Sequence, residues 1–356
     1  MAVRATREQP FARDRQLRAL VIAAPDQTEV ASRPEPVFGP DELLLRVRTV
    51  GFCGSDLNTF RGLNPLVSYP RVPGHEIAAT VSAVGAEVPA DRFREGMLVT
   101  VVPYTACGRC AACRRGRTNA CRDNETLGVQ RDGALTEWIA VPWRKVLGAE
   151  GLAPGELALV EPLSVGFHAA ARGRVAPEDR VLVIGCGAVG LGAVASAARR
   201  GATVIAADVD DRKLALARQA GAAHTVNSSV QPLHDLLSAL TRGDGPDVVI
   251  EAVGLPATFL TAVDEVAFTG RVVYVGYAKA PVTYDTSRFV QKELDILGSR
   301  NATIDDFRSV IAMLRDGAFP VAAAVTRTVP LDGAADALRE WSADPAPITR
   351  IHVNLP

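Results

Sequence analysis

Through the first 160 or so residues, short apolar runs alternate with Pro- and Gly-rich breaks. The runs at residues 17–23, 43–50, 77–84, 97–102 and 138–141 have strand length and strand composition, and a turn at Asp132-Gly133 precedes the last. Pro34, Pro36 and Pro40 predict an extended loop between the first two. After about residue 162 the pattern changes. Continuous apolar runs at 181–184, 203–207, 224–226, 248–252 and 271–275 alternate with helical stretches at 188–200, 212–220, 233–240 and 257–268. Strands apolar on both sides, each followed by a helix, predict a parallel sheet covered on both faces. Beyond Gly298 one clear helix, 305–315, is followed by weaker strand signals, and this last part is expected to return to the first domain.

Composition narrows the class. The 356 residues are 48% hydrophobic and 22% charged, as in soluble two-domain proteins. A net charge of −1 offers no electrostatic basis for binding nucleic acid or an anionic membrane. No apolar run is long enough to span a bilayer. The start carries Arg4, Arg7, Arg13, Arg15 and Arg18 without an apolar segment, which excludes a signal peptide. Glu8, Asp14 and the lack of serine argue against a transit peptide, so residues 1–16 read as a flexible extension of a cytoplasmic protein.

Four of the six cysteines, Cys107, Cys110, Cys113 and Cys121, share one short stretch. Thiolates at this spacing converge on one tetrahedral ion, and four of them with no open position make a structural zinc site. Gly108, Gly116 and Asn119 allow the turns this wrapping requires. Disulfides are the weaker reading for a large chain without a secretory signal.

Gly185-Cys186-Gly187-Ala188-Val189-Gly190 has the G-x-G-x-x-G form between a predicted strand and a predicted helix, with Asp208 at the end of the next strand. In that context Gly185, Gly187, Val189 and Gly190 cradle a pyrophosphate at the helix N-terminus, and Asp208 accepts from the adenosine ribose. The Asp208 charge repels a 2′-phosphate and favours NAD, whereas Arg212 and Lys213 leave room for NADP. Cys186 reads as a small filler of the turn.

Three further candidates are scattered: Cys53 in Gly51-Phe52-Cys53-Gly54-Ser55-Asp56, His75 in Pro73-Gly74-His75-Glu76, and Glu161 in Val160-Glu161-Pro162-Leu163-Ser164-Val165-Gly166. A thiolate, an imidazole and a carboxylate with water in the fourth place would form an open, catalytic zinc site. Taken singly, each also reads as ordinary: buried filler, turn residue, and cap before Pro162.

Together, in this order, these segments resemble the zinc-dependent medium-chain dehydrogenase/reductase family, the alcohol and polyol dehydrogenases, from about residue 17 to the C-terminus. The resemblance implies a GroES-like β-barrel catalytic domain (17–162 and 301–356), a Rossmann NAD-binding domain (163–300), two zinc ions per chain, and a homodimer or homotetramer. It makes Cys53 and His75 catalytic zinc ligands, with Glu161 third, as in sorbitol-type members, and Glu76 beside the metal and able to enter its shell. Asp56 resembles the carboxylate that orients the histidine ligand, and Ser55 the hydroxyl that takes the alcohol proton. Asn58 departs from the family, since many relatives carry a relay histidine there. The substrate implied is a small polyol, sugar acid or cyclitol. Arg300 and Asn301 align with a substrate-facing arginine of sorbitol-type enzymes, although Arg300 could equally be a cofactor contact or an interdomain tie. Phe52, Phe60 and Asn124 are further pocket candidates. L-threonine 3-dehydrogenase, a simple secondary-alcohol dehydrogenase and a non-catalytic zinc- and NAD-binding regulator are the competing readings.

Overall fold

The computed structural model describes residues 16–346 and 348–356. Of the expected N-terminal extension, all but Gln16 falls outside these residues. Gln16 opens β1 (Gln16–Ala24), followed by β2 (Gln27–Pro34), β3 (Glu42–Phe52), β4 (Glu76–Val84), β5 (Leu98–Val101), β6 (Trp138–Pro142) and β7 (Val146–Gly148). The extended loop expected around Pro34 is in part β2, an antiparallel partner of β1 joined through Asp26 at φ 58°. Because β2 is largely exposed, it lacks the apolar alternation that marks a strand in the sequence.

Six strands then form a parallel sheet: β8 (Arg180–Ile184), β9 (Thr203–Asp208), β10 (His224–Asn227), β11 (Val248–Glu251), β12 (Arg271–Tyr274) and β13 (Asp295–Gly298). Their order is β10-β9-β8-β11-β12-β13, that of a doubly wound dinucleotide fold. Along β8, Val181 and Val183 belong to one buried cluster and Leu182 and Ile184 to another on the opposite face, so neither face meets water. The chain ends with β14 (Arg327–Pro330) and β15 (Ile351–Asn354). β15 lies antiparallel to β3 in a seven-stranded sheet ordered β14-β15-β3-β4-β5-β7, with β6 also on β3. Register shifts along β3 curve this sheet around the cluster of Leu43, Leu45, Ile77, Val99 and Leu135.

The helix Val160–Arg172 connects the two sheets and carries Glu161 in its first turn, so Glu161 is a helical residue rather than a cap before Pro162. This helix crosses the helix Ala188–Arg199 at glycines. A Cβ on Gly166 would lie 2.2 Å from the Val189 carbonyl oxygen, and one on Gly192 would lie 2.4 Å from that of Leu163. Glycine here sets the distance between the helix bearing the carboxylate and the helix opening at the Gly-rich turn. Among the described residues no helix is long and apolar enough to cross a membrane.

Candidate active site and structural metal lobe

Strand β3 delivers Cys53 at its end, as the residue preceding the short helix Gly54–Phe60. The turn before β4 delivers His75, and β4 opens with Glu76. Ligand atoms of Cys53, His75 and Glu76 lie within 4.8 Å of one another. Glu161 stands outside this group, which takes in the adjacent carboxylate of Glu76, and its Oε1 accepts from the buried Tyr104 hydroxyl. Glu161 nonetheless stands near enough to act on the charge of His75.

Asp56 is fully buried and close enough to His75 to act on its charge. Its Oδ2 accepts the Cys53 amide at 2.8 Å and its Oδ1 the Gly74 amide at 3.2 Å, while Nδ1 of His75 has no hydrogen bond among the described residues. Asp56 therefore fastens the two ligand-bearing turns through their backbones. Gly74 sits at φ 99°, closed against Leu135 and Val50, a conformation that suits glycine. Gly51 leaves the space that Glu76 fills, for a Cβ there would meet the Glu76 carboxylate at 2.1 Å.

Arg350, from just before β15, was not anticipated. Its Nη1 donates to both Glu76 oxygens and to the Phe52 carbonyl at 3.0 Å. The one available signal was alternation. Arg350, His352 and Asn354 share one side of a strand whose other side is Ile351, Val353 and Leu355.

Burial raises the carboxyls of Asp56, Glu76 and Glu161 above the usual range, against the pull of His75 and Arg350. Burial draws His75 down, but Cys53, Asp56 and Glu161 outweigh it and lift the imidazole well above its ordinary value. Acidic groups thus outnumber cations in a buried space, which a bound cation would relieve. Thiol, imidazole and carboxylate suit zinc, and among the described residues Nδ1 of His75 and Oγ of Ser55 are buried without partners.

The four lobe cysteines also converge, with their sulfurs within 4.8 Å of one another and none in a disulfide. The Cys110 amide donates to Sγ of Cys107 and the Cys107 amide to Sγ of Cys121, each at 3.3 Å. Gly108 and Gly116 take φ 71° and 73° in the turns, whereas Asn119 is buried and hydrogen-bonded.

In the parallel sheet, Gly185 takes φ 94° and a Cβ on Gly190 would meet the Gly185 carbonyl oxygen at 1.8 Å. Above Gly187, which precedes the helix with Val189 in its first turn, nothing stands within 4 Å of a Cβ, leaving a cradle open for phosphate. Asp208 ends β9 and accepts amides of Cys186, Val209 and Asp210 at 2.7, 2.8 and 3.1 Å. Cys186 is buried beneath the turn, burial pushing its thiol far up. Arg212 is committed to Asp210 and to the Ala346 carbonyl, and Lys213 is half-buried.

Arg300 and Asn301 do not reach the Cys53 site by their hydrogen bonds. Nη1 of Arg300 donates to the Cys121 carbonyl at 3.2 Å and Nδ2 of Asn301 to that of Asn119 at 3.1 Å, so of the roles considered the geometry supports a tie to the lobe. Phe52 and Phe60 are core residues, and Asn124 is buried with Nδ2 on Thr126.

The alcohol dehydrogenase GroES-like domain family matches residues 39–153 and the zinc-binding dehydrogenase family residues 188–316. L-galactonate-5-dehydrogenase of Escherichia coli is 35% identical over 301 residues, 85% of this chain and 88% of that protein. The chain belongs to the zinc-dependent medium-chain dehydrogenases. Sorbitol dehydrogenase of Bacillus subtilis is 36% identical, over 79% of this chain and 81% of its own. The RspB alcohol dehydrogenase of Escherichia coli, solved with NADH, superposes with a TM-score of 0.87 at 30% identity, covering 95% of this chain and 99% of that one. This dehydrogenase is thus a zinc-binding, nicotinamide-dependent oxidoreductase with a GroES-like and a Rossmann part.

Proposed function

We propose that the dehydrogenase oxidises a secondary hydroxyl of a polyol, sugar acid or cyclitol, with NAD+ as hydride acceptor, at the site of Cys53, His75, Glu76 and Glu161. The observation that carries this reading is the convergence of the half-buried Cys53 with buried His75 and Glu76, beside the buried carboxylates of Glu161 and Asp56. Zinc, when bound by Cys53, His75 and one or both glutamates, supplies Lewis acidity that lowers the pKa of a substrate hydroxyl. Ser55 takes the proton, its Oγ being buried and uncommitted, with its carbonyl held by Thr59 at 2.8 Å. Asn58 cannot titrate, so the proton would leave Ser55 by the cofactor ribose and water or by another exit. Gly185, Gly187, Val189 and Gly190 hold the pyrophosphate and Asp208 the ribose. Neutralisation of Arg212 by Asp210 supports NAD over NADP, with Lys213 the remaining nearby cation.

The polyol and sugar-acid class is supported by the L-galactonate and sorbitol dehydrogenases among the relatives. Residues 17–162 with 301–356 form the catalytic part and 163–300 the cofactor part. The second zinc is held by Cys107, Cys110, Cys113 and Cys121. Six unpaired cysteines support a cytoplasmic location. The largely exposed edge strand β13, with Val290 exposed in the helical turn ahead of it, supports a homodimer or homotetramer.

The test follows NADH formation over polyols, sugar acids, cyclitols, threonine and short alcohols, with metal analysis of the same preparation. Turnover of a polyol or sugar acid by protein holding two zinc ions per chain is expected. Silence across the panel with both metals bound would overturn the reading in favour of a non-catalytic regulator.

A further inference from the structure

The lobe is tied to the rest of the molecule at two levels. Its neck is closed by an antiparallel bridge between Tyr104 and Thr126 and by the Thr105 amide on the Glu125 carbonyl at 3.0 Å. From that neck the Tyr104 side chain turns inward, buried, and its hydroxyl donates to Oε1 of Glu161. The phenol ring is braced edge-on by Phe307, with ring centroids 6.4 Å apart at 82°. No hydrogen bond engages Oε2 of Glu161 among the described residues, so Tyr104 occupies one carboxylate oxygen and leaves the other for a ligand.

The second tie lies between Cys113 and Cys121. Nδ2 of Asn119 donates to the Arg300 carbonyl at 2.8 Å and faces Nε2 of His168 at 3.0 Å. A carbonyl only accepts, which assigns the amide nitrogen to this position and makes Nε2 an acceptor. The imidazole proton then resides on Nδ1, which donates to Asp306 at 2.9 Å. Asp306 also caps its own helix, Ile304–Arg315, by accepting from Thr303.

These contacts pair up on three elements. Tyr104 and Asn119 belong to the lobe, Glu161 and His168 stand two turns apart on one face of Val160–Arg172, and Phe307 follows Asp306 on Ile304–Arg315. A lobe folded around its own ion thereby holds the carboxylate helix at two heights.

We propose that the four-cysteine lobe positions Glu161 in the catalytic site, with Tyr104 selecting which carboxylate oxygen is free and Asn119, through His168, fixing the helix that carries it. Tyr104, Asn119 and His168 are positioning residues. The proposal rests on the assignment of Glu161 to the catalytic metal site. Residues that hydrogen-bond a metal's ligands typically change metal affinity or activity by about ten- to a hundredfold when removed.

The experiment compares wild type with Tyr104→Phe, His168→Ala and His168→Gln, each with cobalt(II) exchanged into the catalytic site. The cobalt absorption bands, metal release to a chelator, kcat and KM are recorded. Tyr104→Phe is expected to shift the cobalt bands, release catalytic metal about tenfold faster and lower kcat about tenfold, with the KM for NAD and the lobe zinc unchanged. His168→Ala should move the same readouts, and His168→Gln, which keeps a donor and an acceptor, should restore them in part. Unchanged bands and chelator release in Tyr104→Phe and His168→Ala, in a protein whose wild type holds two metals, would overturn this proposal alone. A wild type that binds only the lobe metal would overturn the site assignment and the proposal with it.

Discussion

In the lobe, four thiols from one short stretch face one another, supported by amides of the same stretch and by glycines at φ 71° and 73°. At the proposed catalytic site the side chains come from the end of β3, the turn before β4, the start of β4 and the helix Val160–Arg172, while the charge is balanced by Arg350, which lies 274 residues from Glu76. The first site is closed by local geometry and needs little from the rest of the fold. The second exists only when two sheets and a connecting helix are assembled around it, and its carboxylates are held by partners that the local chain does not supply. A local site can be saturated by its own ligands. One assembled from distant elements can keep a position open for substrate, because no single segment has to wrap the ion.

The comparison breaks most readily at Cys53. Cys53→Ser should lower turnover by about three orders of magnitude or more, the rate equivalent of roughly 4 kcal/mol, while NAD binding, followed by NADH fluorescence titration, stays near wild type. Retained turnover would show that Cys53 is not a ligand.

Cys113→Ser tests the other side. Zinc content should fall from two to one per chain, and the melting temperature should fall by roughly 5–10 °C. An unchanged melting temperature with one zinc lost would mean that the lobe fastens nothing.

Acid should act more on the assembled side. His352 is buried near Arg350, and burial, then the Arg350 charge, lower its pKa from 6.5 to about 4. The unfolded chain takes up this proton first as pH falls, so the His352 contribution is complete above about pH 7 and is lost progressively as pH drops toward 4. Between pH 7 and pH 5 the loss is roughly 2 kcal/mol. Denaturant titrations of His352→Gln should show a flatter acid slope than wild type, and parallel slopes would contradict the assignment.

The smallest change concerns the dinucleotide turn, a local motif like the lobe. Asp208→Ala should weaken NAD about tenfold, or roughly 1.4 kcal/mol, and relax its preference over NADP. Comparison of KM values for the two cofactors checks this. An unchanged ratio would mean that the Asp208 carboxylate serves only the amides of Cys186, Val209 and Asp210.

What could be read from the chain follows the same division. Five of the six strands of the parallel sheet, the Gly-rich turn and the four-cysteine lobe were legible because each is a short segment with its own period or spacing. Strand β2 was missed because an exposed edge carries no apolar alternation, and β13 because its residues are largely exposed. Phe52 and Phe60 were pocket candidates, and Arg300 and Asn301 were substrate candidates by the resemblance to sorbitol-type enzymes, with a cofactor contact or an interdomain tie as the other readings of Arg300. Two proved to be core, and two are engaged with Asn119 and Cys121.

Sequence alone was enough to identify the family, the four-cysteine lobe and the dinucleotide turn, since these depend on residue types at short, recognisable spacings. Tertiary structure decided that Glu76 joins Cys53 and His75 while Tyr104 holds Glu161, that Arg350 balances the buried charge, and that Asn119 reaches His168 across the lobe. Those are pairings between segments tens to hundreds of residues apart, selected by which elements pack together, and no local pattern in the chain encodes them.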